Sequence, residues 1–246
     1  MKILGCLPFL TLFLQTSMHS VQAAPAIEQR NESFLSGGKT IHVETFAPAG
    51  NGRFPAVLVL HTSVGTLVGK SQLELFSKQL AAQGNVAFLV RYFDRTGTHY
   101  AGDDKINELA PVWIETVHDT VSFAAAHAKV RPGAIGIFGY SLGAYLGVAE
   151  SSNDPRVKAL VEIAGGILTR YKGKIDRLPP LLSLHGDADE RVSVSNAFEL
   201  QKLARQLGGN PQIHIYKGEG HRLSPAAASD ASARALRFLD YHLSRH

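Results

Sequence analysis

Hydrophobic residues along the chain fall into segments of two kinds, and the two kinds alternate. Ile27 to Leu35 and Thr40 to Phe46 flank Ser36-Gly37-Gly38-Lys39, which predicts a β-hairpin closed by a glycine turn. Phe54 to His61 (FPAVLVLH) is a continuous apolar run of strand length, the pattern of a strand buried on both faces. Ser71 to Gly84 spaces Leu73, Phe76 and Leu80 at helical intervals and stops at glycine, so it predicts a helix. Val86 to Phe93 predicts a strand, Ala110 to His127 a helix, and Ala134 to Phe138 a strand that runs into Gly139-Tyr140-Ser141-Leu142-Gly143 and on into a further helix.

The second half keeps the rhythm. Strands are predicted at Val157 to Gly165, Pro180 to Gly186 and Gln212 to Gly218, with helices at Val194 to Gly209 and Ser224 to Arg245. Strands alternating with helices of this length imply βαβ units, hence an α/β fold: a mostly parallel, twisted sheet with helices on both faces, preceded by the antiparallel hairpin. No internal repeat or low-complexity linker interrupts residues 24–246, which are expected to form a single domain. Ligands of such sheets bind at the carboxyl ends of the strands, so candidate chemistry is sought there.

The N-terminus stands outside this pattern. Lys2, an apolar run from Ile3 to Leu14, a polar stretch and Val21-Gln22-Ala23 have the layout of a secretory signal peptide over residues 1–23, cleaved after Ala23. The apolar run, about 12 residues, is too short for a bilayer core that needs about 20, so no stable membrane insertion is expected. A secreted or periplasmic product follows. The only cysteine, Cys6, would leave with the signal, which excludes disulfides, thiol nucleophiles and thiolate metal sites from the mature chain. Formal net charge is +4, but the 25 Lys and Arg residues are scattered with no basic run, which argues against a nucleic-acid partner.

Three residues fall at strand ends on one edge of the sheet. Ser141 follows the strand ending at Phe138, Asp187 and Asp189 follow LLSLHG, and His221 follows QIHIYKGEG. The order nucleophile, acid, histidine is that of α/β-hydrolases. Gly139 and Gly143 flank Ser141 at the positions where a side chain would collide in a sharp strand-to-helix turn. A serine hydroxyl needs a base to take its proton as it attacks, and the His221 imidazole titrates in the right range. A buried carboxylate would fix the imidazole tautomer, and the Leu142 amide, first in its helix, would be one donor to the oxyanion. Spacing alone leaves the acid open among Asp187, Asp189 and Glu190.

These segments give the chain a likeness to a known family. VLVLHTSVG, GIFGYSLGAYLG, LLSLHGDADERV and YKGEGHRL together resemble the dienelactone hydrolases of the α/β-hydrolase fold, over roughly residues 30 to 243. The family's His-Gly-x-x-Asp-x-x-Val pattern, read on His185 to Val192, implies Asp189 as the acid, with Asp187 the runner-up. The resemblance also implies Ser63 as the second oxyanion amide, with Thr62 its rival, and places Arg95 where the family binds a substrate carboxylate. Departures are visible. Serine stands where the namesake enzymes have cysteine, Thr62 where they have an acidic residue, and Pro225 where they have a second basic residue, for which Arg222 is the nearest substitute.

The implied activity is a serine hydrolase acting on a small carboxylic ester or lactone through an acyl-enzyme. It needs no cofactor and no metal, and no His-Glu-x-x-His or Cys/His ligand spacing occurs. Two rivals share the motifs: a small peptidase of the prolyl-oligopeptidase type, and a hydrolase fold that has lost catalysis and serves binding.

Overall fold

The computed structural model describes residues 26–244; the expected signal peptide and Cys6 lie outside them. Eight strands form one sheet in the order β1-β2-β4-β3-β5-β6-β7-β8. β1 (Ile27–Ser36) and β2 (Lys39–Pro48) are the expected hairpin, antiparallel, and β2 adds antiparallel to β4 (Val86–Val90). From β4 onward the sheet is parallel through β3 (Phe54–Leu60), β5 (Val130–Tyr140), β6 (Val157–Ile163), β7 (Leu181–Gly186) and β8 (Gln212–Tyr216).

The continuous apolar runs are explained by two cores. On β3, Ala56, Leu58 and Leu60 point to one face and Val57 and Val59 to the other; on β4, Val86, Phe88 and Val90 oppose Ala87 and Leu89. The first core is closed by α2 (Asp103–Ala126), α3 (Leu142–Asn153) and α4 (Ser195–Gln206), which contribute Trp113, Leu146 and Leu200. The second is closed by α1 (Lys70–Ala82) and α5 (Pro225–Leu243), through Phe76, Leu80 and Leu239. Among the described residues no helix is long and apolar enough to cross a membrane.

Some boundaries differ from the sequence reading. β4 stops at Val90 because Tyr92–Arg95 turns into a short 3₁₀ helix, with the Asp94 amide bonded to the Arg91 carbonyl. Helix α2 starts at Asp103, seven residues before Ala110, and carries Pro111 inside it. Pro111 lies past the first four residues, whose amides have no partner in the helix, so it removes the bond that an amide there would make to the Asn107 carbonyl, and the helix continues through it.

Candidate active site

The carboxyl ends of β3, β5, β7 and β8 lie close together on the parallel part of the sheet and deliver one group each. Between β5 and α3 there is a single residue, Ser141, whose backbone sits at φ 53° and ψ −118°. A left-handed φ is strained for serine and persists only where the surroundings fix it. Here the Ser141 amide donates to the Ile163 carbonyl on β6 at 2.8 Å, and its own carbonyl accepts from the Ala144 amide at 2.9 Å. Room for the turn comes from the flanking glycines. A Cβ on Gly139 would lie 2.3 Å from the Gly143 carbonyl oxygen, and one on Gly143 would lie 2.5 Å from the Leu60 carbonyl oxygen. Both contacts are with backbone, so no larger residue could be accommodated by a rotamer change.

His221 completes a hydrogen-bonded chain. Its Nε2 lies 3.0 Å from Ser141 Oγ and its Nδ1 lies 2.8 Å from Asp189 Oδ2. Because a carboxylate only accepts, Nδ1 carries the proton and Nε2 presents its lone pair to the serine hydroxyl. Asp189 is buried, and its other oxygen accepts the Arg191 and Val192 amides at 2.9 and 2.8 Å. Asp187, by contrast, is exposed and accepts the Gly218 amide at 2.6 Å, tying the loop after β7 to the turn after β8. Glu190 is exposed. Of the three acids that spacing left open, the structure brings Asp189 to the imidazole.

Ser141, Leu142 and Ser63 line one cavity of about 310 Å³. Leu142 opens α3, so its amide has no partner in the preceding turn and points with the positive end of the helix. Thr62 shapes the tight turn before Ser63, its carbonyl accepting the Gly65 amide at 3.0 Å and the His61 Nδ1 proton at 2.8 Å. The turn is braced from behind by His61, which stacks on Tyr92 with ring centres 3.8 Å apart and whose carbonyl accepts the Tyr92 hydroxyl at 2.8 Å. Burial pushes the His61 pKa down to about 4, so this imidazole is neutral.

Arg95 is not at the cavity. Its Nη1 donates to the Ser36 carbonyl at 2.5 Å and its Nη2 to Glu115 at 3.3 Å, beside Gly37, where any side chain would overlap the guanidinium. The expectation that it meets a substrate carboxylate is corrected: the 3₁₀ turn after β4 aims it at the hairpin. Arg222 is exposed, and Pro225 serves as the first residue of α5. The cations that do line the cavity are Lys172, from a segment with no recognisable motif, and Arg191, a variable position of the pattern that holds Asp189; they pair with Glu199 and Asp103. Tyr145 lines it too, its phenol pushed up to about 12 chiefly by burial. Tyr140, the variable residue of the elbow, also escaped sequence reasoning: its hydroxyl donates to the His221 carbonyl at 2.5 Å.

The sequence model of the dienelactone hydrolase family matches residues 41–241. The chain belongs to that family. Family membership is matched by individual relatives. The chain is 25% identical over 225 residues to a Bradyrhizobium protein named a "probable 2-oxo-3-(5-oxofuran-2-ylidene)propanoate lactonase", covering 80% of this chain and 87% of that one. It is 30% identical to mouse acyl-coenzyme A amino acid N-acyltransferase 1 over 82% of its own length, but spans only 46% of that protein. Among solved structures, a cold-adapted esterase from an Arctic intertidal metagenomic library superposes with a TM-score of 0.65 at 21% identity, covering 88% of this chain and 94% of the esterase. This dienelactone hydrolase family member thus has an α/β-hydrolase fold, with an eight-stranded sheet and Ser141 at the turn between β5 and α3.

Proposed function

We propose that the protein is a secreted serine hydrolase that opens a small carboxylic ester or lactone through an acyl-enzyme. The observation that carries this reading is the unbroken chain Ser141 Oγ, His221, Asp189, with the nucleophile facing a cavity and the first amide of α3 beside it. In the reaction, Ser141 Oγ attacks the carbonyl carbon as its proton passes to His221 Nε2. The carbonyl oxygen gains the negative charge and accepts from the Leu142 and Ser63 amides, while Asp189 stabilises the imidazolium. Collapse breaks the bond to the alkoxy oxygen, which takes the proton from Nε2; in a lactone that oxygen stays attached to the acyl group. Water then repeats the attack on the acyl-enzyme, returning Ser141 and releasing the acid.

The family and the lactonase among its relatives support ester or lactone bonds, and a cavity of about 310 Å³ supports a small substrate. A panel of p-nitrophenyl esters of rising acyl length, simple lactones and peptide amides tests this. Short esters or lactones should turn over and amides should not, and Ser141→Ala should lose about 10³-fold or more in kcat with the fold retained. Preferential cleavage of amides would favour a peptidase, and a folded Ser141→Ala variant with near-normal activity would remove the serine mechanism.

A further inference from the structure

His185 is fully buried at the end of β7, four residues before the triad acid, and the mechanism above gives it no part. Its Nε2 lies 2.8 Å from the Val192 carbonyl oxygen and 3.3 Å from Asp189 Oδ2. The carbonyl only accepts, so Nε2 carries the proton and donates it to Val192, with Asp189 Oδ2 alongside. Its Nδ1 is buried without a hydrogen-bond partner. An apolar side chain of similar size would fill the same space without leaving a nitrogen unsatisfied. The cost is therefore tolerated for what the other nitrogen does.

The turn from Asp189 to Val192 shows what that is. Asp189 Oδ1 is fixed from within the turn by the Arg191 and Val192 amides, while Oδ2 is the oxygen that His221 uses. His185 Nε2 donates to the far end of the turn at the Val192 carbonyl and lies beside that same Oδ2. Beneath it, Glu162 on β6 is bonded to Ser183 and accepts the Gly165 amide at 2.9 Å, so the strand pair carrying His185 is cross-tied by a buried polar group. Burial pushes the Glu162 carboxyl above its usual range.

We infer that His185 is a positioning residue: its Nε2–H, bonded to the Val192 carbonyl, locks the Asp189–Val192 turn, and with it the Asp189 carboxylate, in the orientation that His221 needs. This rests on the serine hydrolase reading. As His221 becomes an imidazolium its pull on Oδ2 grows, and the turn whose amides hold Oδ1, anchored to β7 through the Val192 carbonyl, keeps the carboxylate from rotating.

Steady-state kinetics on p-nitrophenyl acetate with the full chain test this, using wild type, His185→Met and His185→Gln. Methionine removes the donor at similar volume, whereas the glutamine amide can place an N–H near the position of Nε2. The expected result is a fall in kcat of about 10- to 100-fold for the methionine variant with KM within about 2-fold, and recovery to within about 5-fold of wild type for glutamine. A folded methionine variant with wild-type kcat overturns the inference, as does a glutamine variant damaged as badly as methionine, or a rise in KM alone. Should the methionine variant fail to fold, the low-field proton resonance of His221 Nδ1 is compared in wild type and the glutamine variant; its persistence supports the inference and its loss overturns it. Absence of turnover in wild type would instead count against the hydrolase reading, so the two failures are distinguishable.

Discussion

At the start of α3 the His221 imidazole bonds Asp189 at 2.8 Å; near its end the His118 imidazole, on α2, bonds Glu150 at 3.0 Å. The two pairs look alike in distance, and each carboxylate is buried. Their surroundings differ. At the second site Asp154 lies 3.5 Å from His118, and Arg156 already clamps Asp154 through Nε at 2.9 Å and Nη2 at 2.5 Å. These three acid and histidine groups are the metal-type cluster found among the described residues, with ligand atoms within 4.8 Å of one another, yet the guanidinium occupies the carboxylate that a cation would need. At the first site the spare imidazole nitrogen faces a hydroxyl held in a strained turn beside a cavity. A histidine–carboxylate contact is thus common to both; what sets the first apart is an unspent lone pair aimed at a hydroxyl, with a cavity beside it.

The comparison can be broken at several points. The largest effect is expected from Asp189→Asn, which presents an amide in place of an acceptor pair to His221 Nδ1 and should lower kcat by about 10³-fold or more. Asp187→Asn keeps an oxygen for the Gly218 amide and should cost less than about 5-fold; the reverse ranking in esterase assays would move the acid to Asp187. Groups already saturated by the protein should behave as structural ones. Arg95→Ala should lower stability by about 1–3 kcal/mol in urea unfolding, through the lost bond to Ser36. It should change kcat/KM for anionic and neutral esters equally, and a selective loss on anionic esters would restore Arg95 to the substrate.

The smallest effect concerns the second histidine pair and its sign can be worked out. Burial pushes the Glu150 carboxyl up to about 7 from 4.5, so the folded chain holds this proton more tightly than the unfolded one. Its contribution is complete below about 4.5 and is lost as pH rises through about 7. Relative to Glu150→Gln, wild type should therefore gain about 1–3 kcal/mol in unfolding free energy between pH 8 and pH 5, with esterase activity in the two proteins the same. A pH-independent difference would mean that Glu150 does not titrate in the fold.

The architecture was legible because the sheet and helices obey two periods: β3 and β4 are apolar at every position only because both faces are covered. The start of α2 was not, since Asp103 to Leu109 reads as polar loop and Pro111 as a boundary. Ser141 and His221 were legible because motif and strand end coincide. The acid needed either the family pattern or the fold, as three carboxylates share one loop and only burial separates them. Arg95 was misread because the direction of a side chain after a 3₁₀ turn leaves no periodic trace. The cavity wall, with Tyr145, Lys172 and Arg191, is assembled from segments far apart in the chain, so spacing carries no sign of it.

The central claim is that Ser141 is an activated nucleophile, and labelling with a fluorophosphonate followed by intact-mass and peptide analysis tests it most directly. The account predicts stoichiometric modification of folded protein at Ser141, slowed about 10²-fold or more by Asp189→Asn and abolished by Ser141→Ala. Folded wild-type protein that stays unlabelled, or that is labelled at another residue, would contradict it.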